Sequence, residues 1–213
     1  MMNLQVSYFL HIICKAVLRL EYRQLRRLVD ELTGAEDENW SRVAMRRGCY
    51  QIIEGLRPQE LRALEISGNY FNKTSFKEYK TVCYPEYDIC TSSSSEEFDL
   101  VIAEQVFEHL LWPYRAGKNV YQMLRPGGYF LISTPFLVRV HNYPTDCTRW
   151  TETGLKYFLA ECGFPLEKIR TFSWGNRACI KANLAEWVRY RRRIHPLNNE
   201  PDYPYHVWAL AQK

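Results

Sequence analysis

The sequence predicts an α/β protein built on a doubly wound, mostly parallel sheet, preceded by an N-terminal helical extension. Three observations predict it. Short apolar runs recur at Leu61–Ile66, with an acid inside it, Phe98–Ala103 and Tyr129–Thr134, without the alternation that marks strands with one wet face. The first of these runs stops at Ser67-Gly68-Asn69 and the third at Pro135, residues that end regular structure. Between and after them lie stretches of helical period, Glu108–Leu124 and Thr151–Cys162. Strands that alternate with helices in one domain need crossover connections and so build a parallel sheet.

A chain of 213 residues suffices for one substantial core and is short for two. Its 46% hydrophobic and 24% charged residues are those of an ordinary globular protein. The net charge of +4 is mild and calls for no nucleic-acid partner. Fifteen Tyr and six Trp provide rings with polar handles that suit a pocket and fill a core equally well. The seven cysteines, Cys14, Cys49, Cys83, Cys90, Cys147, Cys162 and Cys179, include no C-x-x-C pair. They read as free thiols in a reducing, cytoplasmic setting rather than as a zinc or disulfide framework.

Residues 1–57 read as the helical extension and 58–213 as the main domain. In the extension, a first helix runs to about Leu32, an acidic break follows at Ala35–Asn39, and a second helix runs from Trp40 to Leu56. The apolar stretch Leu4–Leu20 is interrupted by His11, Lys15 and Arg19, so it reads as an amphipathic helix and not as a membrane span. The extension suits a lid, plain packing or a homodimer contact. Pro58 introduces the first strand, Arg62–Ser67. Phe76–Tyr84 and Tyr87–Cys90 follow as a second and a third strand, and Ser92–Ser95 as a surface turn. Pro113 marks where the next helix properly begins. Arg125-Pro126-Gly127-Gly128 is a turn before the strand Tyr129–Thr134, and Phe136–Trp150 is a long loop rich in His, Tyr, Asp and Arg. Thr151 caps a helix that Gly163 terminates. Phe164–Phe172 and Tyr205–Ala211 close the sheet, with a helix over Ala178–Arg193 between them.

Several of these pieces together resemble one family. Phe98-Asp99-Leu100-Val101-Ile102, Glu104-Gln105-Val106-Phe107-Glu108-His109-Leu110 and Leu124-Arg125-Pro126-Gly127-Gly128-Tyr129 are similar to the fourth and fifth strand region of class I S-adenosylmethionine-dependent methyltransferases. His141-Asn142-Tyr143-Pro144-Thr145-Asp146, Arg149-Trp150-Thr151 and Gly154-Leu155 resemble a subgroup of its small members. The resemblance covers Leu61 to Phe164, roughly half the chain. It implies a Rossmann-like, seven-stranded sheet with a reversed last hairpin and S-adenosyl-L-methionine bound at the strand ends. The chain departs from the pattern in two places. Only Gly68 remains of the usual glycine-rich first loop, and Cys83 and Tyr84 stand where an acid normally meets the ribose.

The resemblance implies cofactor roles for Glu65, Ser67 and Gly68 at the first loop. Glu65 would accept from the ammonium of the methionine head and Gly68 would let the chain pass close to it. Asp88, with Ile89 beside it, suits the adenine amino group, and Glu104 and Gln105 enter the crevice after their strand. Each has a plainer reading, as a carboxylate bound to backbone amides or an Asp at a turn. Methyl transfer to a hydroxyl needs positioning and a base. His141 and His109 are the candidates because imidazole titrates near neutrality, with Tyr143, Asp146 and Arg149 on the acceptor side. No cluster of Asp, Glu and His has metal-ligand spacing in the sequence, so no metal is expected. The expected activity is O-methylation of a sugar or natural-product hydroxyl. A non-catalytic binding protein of the same fold, and a nucleic-acid methyltransferase using Arg189–Arg193, stay open beside it. That basic run reads most simply as a solvated helix end.

Overall fold

The structure, a computed structural model, describes residues 21–92 and 96–213. Residues 21–33 are helical (α1). Strand β1 (Ala35–Asn39) follows, then helix α2 (Trp40–Gly55), β2 (Arg62–Ile66), β3 (Glu78–Val82) and β4 (Phe98–Glu104). Helix α3 (Pro113–Met123) leads into β5 (Leu124–Pro135), and α4 (Glu152–Glu161) into β6 (Ile169–Trp174). Helix α5 (Arg177–Ala182), β7 (Arg189–Arg191) and β8 (His206–Gln212) complete the chain.

Six strands form one sheet in the order β3-β2-β4-β5-β8-β6. The pairs β2–β3, β2–β4 and β4–β5 are parallel, while β8 runs antiparallel to both β5 and β6. The chain leaves β2 towards the β3 edge and returns to β4 on the other side of β2. The strand order therefore reverses between β2 and β4, and their carboxyl ends open a crevice where ligands of such sheets bind.

Alternation within the strands distributes the core. Val101 and Ala103 of β4, Phe130 and Ile132 of β5, and Val207 and Ala209 of β8 join one cluster with Ala116 and Val120 of α3 and Leu155, Phe158 and Leu159 of α4. Helix α2 packs on β8 and β6, burying Met45, Cys49 and Ile53. Contacts divide the chain into two units. One holds residues 21–38 with Arg189–Pro196, and the other holds Asn39–Val188 with Leu197–Lys213. Helix α2, expected with the N-terminal extension, thus counts with the sheet.

Four expectations are corrected. Tyr87–Cys90 is a turn and not a third strand, which leaves six strands in the sheet instead of seven among the described residues. Local bonds take the place of a ladder there: Asp88 Oδ1 accepts from Cys90 N at 2.8 Å, and Cys83 O accepts from Tyr87 N at 2.9 Å. The helix expected over Ala178–Arg193 stops at Ala182. Asn183 Nδ2 donates to Cys179 O at 2.9 Å and its Oδ1 accepts from Val188 N at 3.0 Å, which turns the chain. Arg189–Arg191 is then a strand, and the supposed acidic break Ala35–Asn39 is its partner in a two-stranded sheet. Arg125–Gly128 belongs to β5 as an irregular start, with a register shift opposite Phe98 and Leu100. The amphipathic reading of Leu4–Leu20 lies outside the described residues, and no described helix is long and apolar enough to cross a membrane.

Gly48 lets α2 lie on the sheet, because a Cβ there would sit 2.8 Å from Trp208 Cζ2. Trp208 is itself stacked on Phe172, with ring centroids 5.9 Å apart. Gly48→Leu is expected to lower unfolding stability by about 2 kcal/mol despite its better helix propensity, as read from urea denaturation.

Candidate functional site

Glu65, the penultimate residue of β2, is fully buried. Its Oε1 accepts from Tyr70 N at 2.9 Å, and its Oε2 accepts from Phe71 N at 3.1 Å and from Tyr79 Oη at 2.5 Å. One carboxylate thus draws the loop after β2 back onto the strand end and ties it to β3. Burial and the Glu65 charge push the Tyr79 phenol well above its ordinary pKa, so it stays a donor. Beneath that clasp Ser67 takes φ +56° and its N–H donates to Val82 O at 2.7 Å. A Cβ on Gly68 would meet Glu65 Oε1 at 2.5 Å, so the turn admits glycine alone. After β4, Gln105 also takes a left-handed φ of +57°. Two neighbouring strands therefore leave the sheet through left-handed, non-glycine residues, a strained geometry that clusters at functional sites. The turn after β2 is thereby a cradle of bare backbone at the crevice.

Helix α2 supplies residues that the sequence reading missed. Arg46 Nε lies 3.1 Å from Glu104 Oε1, Arg42 Nη1 lies 3.7 Å from the same oxygen, and the Arg46 guanidinium stacks over Tyr70 at 4.1 Å. Burial raises the Glu104 pKa, and the two arginines work against that shift. The available signal was spacing. Arg42 and Arg46 are one turn apart and flank the buried Val43 and Met45, so they lie beside the packed stripe of the helix.

The sequence-predicted residues fall into three groups. Glu65, Ser67, Gly68 and Glu104 are joined through Tyr70 and Arg46. Asp88 forms its own turn, and Ile89 is buried with its carbonyl accepting from Asn119 Nδ2 of α3 at 2.7 Å. Gln105, His109, His141 and Tyr143 line one cavity of about 420 Å³, together with Arg42, Pro135, Trp187 and His206. Trp187 and His206 were not expected from sequence. Burial holds His206 well below the usual imidazole pKa, hence neutral.

The long loop after β5 is ordered by charge. Arg149 grips Asp146 with both guanidinium nitrogens, one contact being 2.6 Å to Oδ2. Asp146 Oδ2 in turn accepts from His141 N at 2.8 Å and lies 3.3 Å from His141 Nδ1. Asp146 and Arg149 thus serve the loop and His141. Arg149 and the His141 N–H hold the Asp146 carboxyl below its ordinary pKa. Burial lowers that of His141, so its ring is neutral at pH 7. The rings of His109 and His141 meet edge to face, 5.1 Å apart. Glu108 is fully buried beside them, and burial pushes its pKa up to about 8. The basic run Arg189–Arg193 is partly spent on its own unit: Arg189 and Arg191 pair with Asp30, and Arg193 donates to Leu32 O.

A mostly parallel sheet with a switch-point crevice, a glycine cradle and a polar cavity is that of the doubly wound class, which binds ligands at its strand ends. Residues 11–174 match the family model described as a methyltransferase domain. The chain belongs to this family, within the class I S-adenosylmethionine-dependent methyltransferases, and its cofactor is S-adenosyl-L-methionine. Comparison with curated proteins finds no match. Among solved structures, the fold is similar to that of a Burkholderia thailandensis 1,6-didemethyltoxoflavin-N1-methyltransferase, with a TM-score of 0.53 at 13% identity over 93% of this chain and 88% of that one. A Thermotoga maritima S-adenosylmethionine-dependent methyltransferase gives 0.52 at 15% identity over 76% and 86%. The N-methyltransferase NodS of Bradyrhizobium japonicum gives 0.51 at 15% identity over 83% and 89%.

Glu65→Ala strands two loop amides, that of Phe71 buried, and a phenol. The expected result is a loss of about 2–4 kcal/mol in urea unfolding, with S-adenosylhomocysteine affinity reduced about tenfold or more by calorimetry.

Proposed function

We propose that the protein transfers the cofactor's methyl group to a hydroxyl oxygen of a small acceptor, a sugar or natural product, seated in the cavity lined by Gln105, His109, His141 and Tyr143. The observation that carries this reading is the cavity itself. At about 420 Å³ it has small-molecule size, and two imidazoles in edge-to-face contact, that of His141 neutral, face into it.

The backbone of Ser67 and Gly68 would hold the methionine end of the cofactor, and Asp88 and Ile89 the adenine. Gln105 would border the transferring group. Bound there, the cofactor supplies an electrophilic methyl on a sulfonium. Glu65 acts through the loop it clasps, because its oxygens are engaged by Tyr70, Phe71 and Tyr79. The acceptor's proton passes to His141, whose neutral ring can take it at pH 7. Asp146, fixed by Arg149, orients that ring and stabilises it once it is charged. Tyr143 and Trp187 give the acceptor an apolar wall with polar edges.

The sign of the pH dependence follows from the lowered His141 pKa. The base is competent above that pKa and is lost as pH falls through it, so the acid limb of kcat/KM lies below pH 6.5. The test is release of S-adenosylhomocysteine with a panel of hydroxyl acceptors, with amines of matched shape as the comparison set. His141→Ala is expected to lower kcat by about 100-fold or more and to remove the acid limb, with cofactor affinity retained. Turnover on amines alone, or an unchanged kcat in this variant, overturns the proposal.

A further inference from the structure

We propose that Glu108, His109 and His141 form a site for one divalent transition-metal ion of the zinc class. One ligand atom from each of the three lies within 4.8 Å of the others. In a tetrahedral zinc site, ligand atoms about 2.0–2.1 Å from the metal stand about 3.3 Å from one another. The Glu108 Oε1 to His109 Nε2 separation of 3.6 Å is already close to that figure. Closing the set takes side-chain movement and leaves the fold as it is.

The second observation is Glu108 itself. Both carboxylate oxygens are shielded from solvent and neither has a hydrogen-bond partner. A buried carboxylate without donors is costly, and 3.6 Å to an imidazole nitrogen is too long for a hydrogen bond to relieve it. A cation between Glu108 and the imidazoles supplies the missing interaction.

The surroundings of both histidines are those that ligating imidazoles need. His109 Nδ1–H donates to the Thr145 carbonyl, and Thr145 Oγ1 donates back to the His109 carbonyl at 2.6 Å. That two-way clasp fixes the tautomer with the lone pair on Nε2, the atom beside Glu108. Asp146 stands 3.3 Å from His141 Nδ1 and is locked by Arg149, so a carboxylate backs the second ring as well. The nearby guanidiniums are already matched, Arg149 by Asp146 and Arg42 by Glu104, so they oppose a cation weakly. Two imidazoles and one carboxylate suit zinc and its neighbours, whereas magnesium and calcium prefer an all-oxygen shell. Because His109 and His141 line the cavity, a fourth position is open to it, as in zinc sites with three protein ligands.

In the metal-bound protein the ion would hold the acceptor's oxygen, whose proton leaves to solvent, and His141, its lone pair engaged, would act as ligand instead of base; that use rests on the methyl-transfer reading. The binding of the ion does not. The experiment takes the full-length chain without an affinity tag, treats it with chelator, and titrates it with zinc chloride by calorimetry. Cobalt(II) absorption serves as the spectroscopic probe. One ion per chain is expected, with a cobalt spectrum lacking thiolate charge transfer. Glu108→Gln and His141→Ala are each expected to weaken zinc binding by about 100-fold or more, and Asp146→Asn by about 10-fold or more. Circular dichroism and S-adenosylhomocysteine titration of the same variants establish that they fold. Absence of zinc binding in the wild-type chain overturns the site, as do a thiolate band or unchanged affinity in the folded variants. Zinc binding without S-adenosylhomocysteine binding leaves the metal site standing and removes the methyl-transfer reading instead.

Discussion

The crevice depends on one buried carboxylate. Glu65 accepts two backbone N–H groups and a phenol, and through them it fixes the loop at the end of β2. An acid inside an apolar strand is unfavourable unless donors converge on it. Here the donors come from the next loop and the neighbouring strand, so a side chain costly to bury also organises the end of the strand. Gly68 shares the same constraint, since any side chain there would collide with the carboxylate.

A second layer of charge pairing extends from this point. Tyr70, held by Glu65, carries the Arg46 guanidinium on its ring, and Arg46 with Arg42 balances the buried Glu104. Asp146 and Arg149 play the matching part on the other side of the cavity, where they set the loop that carries His141. Glu65, Glu104 and Asp146 are thus each matched by donors or cations, whereas the Glu108 carboxylate is not. That arrangement limits the penalty of putting so many ionisable groups near an apolar core.

The parallel strands and the order of elements were legible in the sequence because burial on both faces produces apolar runs at Ala63–Ile66, broken only by Glu65, and at Leu100–Ala103 and Phe130–Ile132. The Thr151 cap was legible for a local reason, since Thr151 Oγ1 does accept from Gly154 N. What escaped was set by contacts distant in sequence or by polar side chains turning on their own backbone. Asp88 and Asn183 divert the chain through such bonds, in places where propensity alone favours a strand and a helix. Arg42 and Arg46 look like solvated helix charges until the sheet is folded beneath them. Glu108 and His141 stand far apart in sequence, so no spacing rule brings them together, and only the path of the loop after β5 does.

The pairing of β1 with β7 has a consequence for how the chain is made. Arg189 bonds to Asp30 across 159 positions of sequence, and the two short strands meet only after the intervening polypeptide exists. A ribosome working from the amino terminus exposes Ala35–Asn39 long before its mate emerges. During that interval its ladder groups are unsatisfied, and the acidic run Glu36-Asp37-Glu38 puts like charges along the strand, which discourages self-association between nascent copies. Charge that looked like a simple interruption between helices thus lies on a strand whose mate, Arg189–Arg191, is made far later.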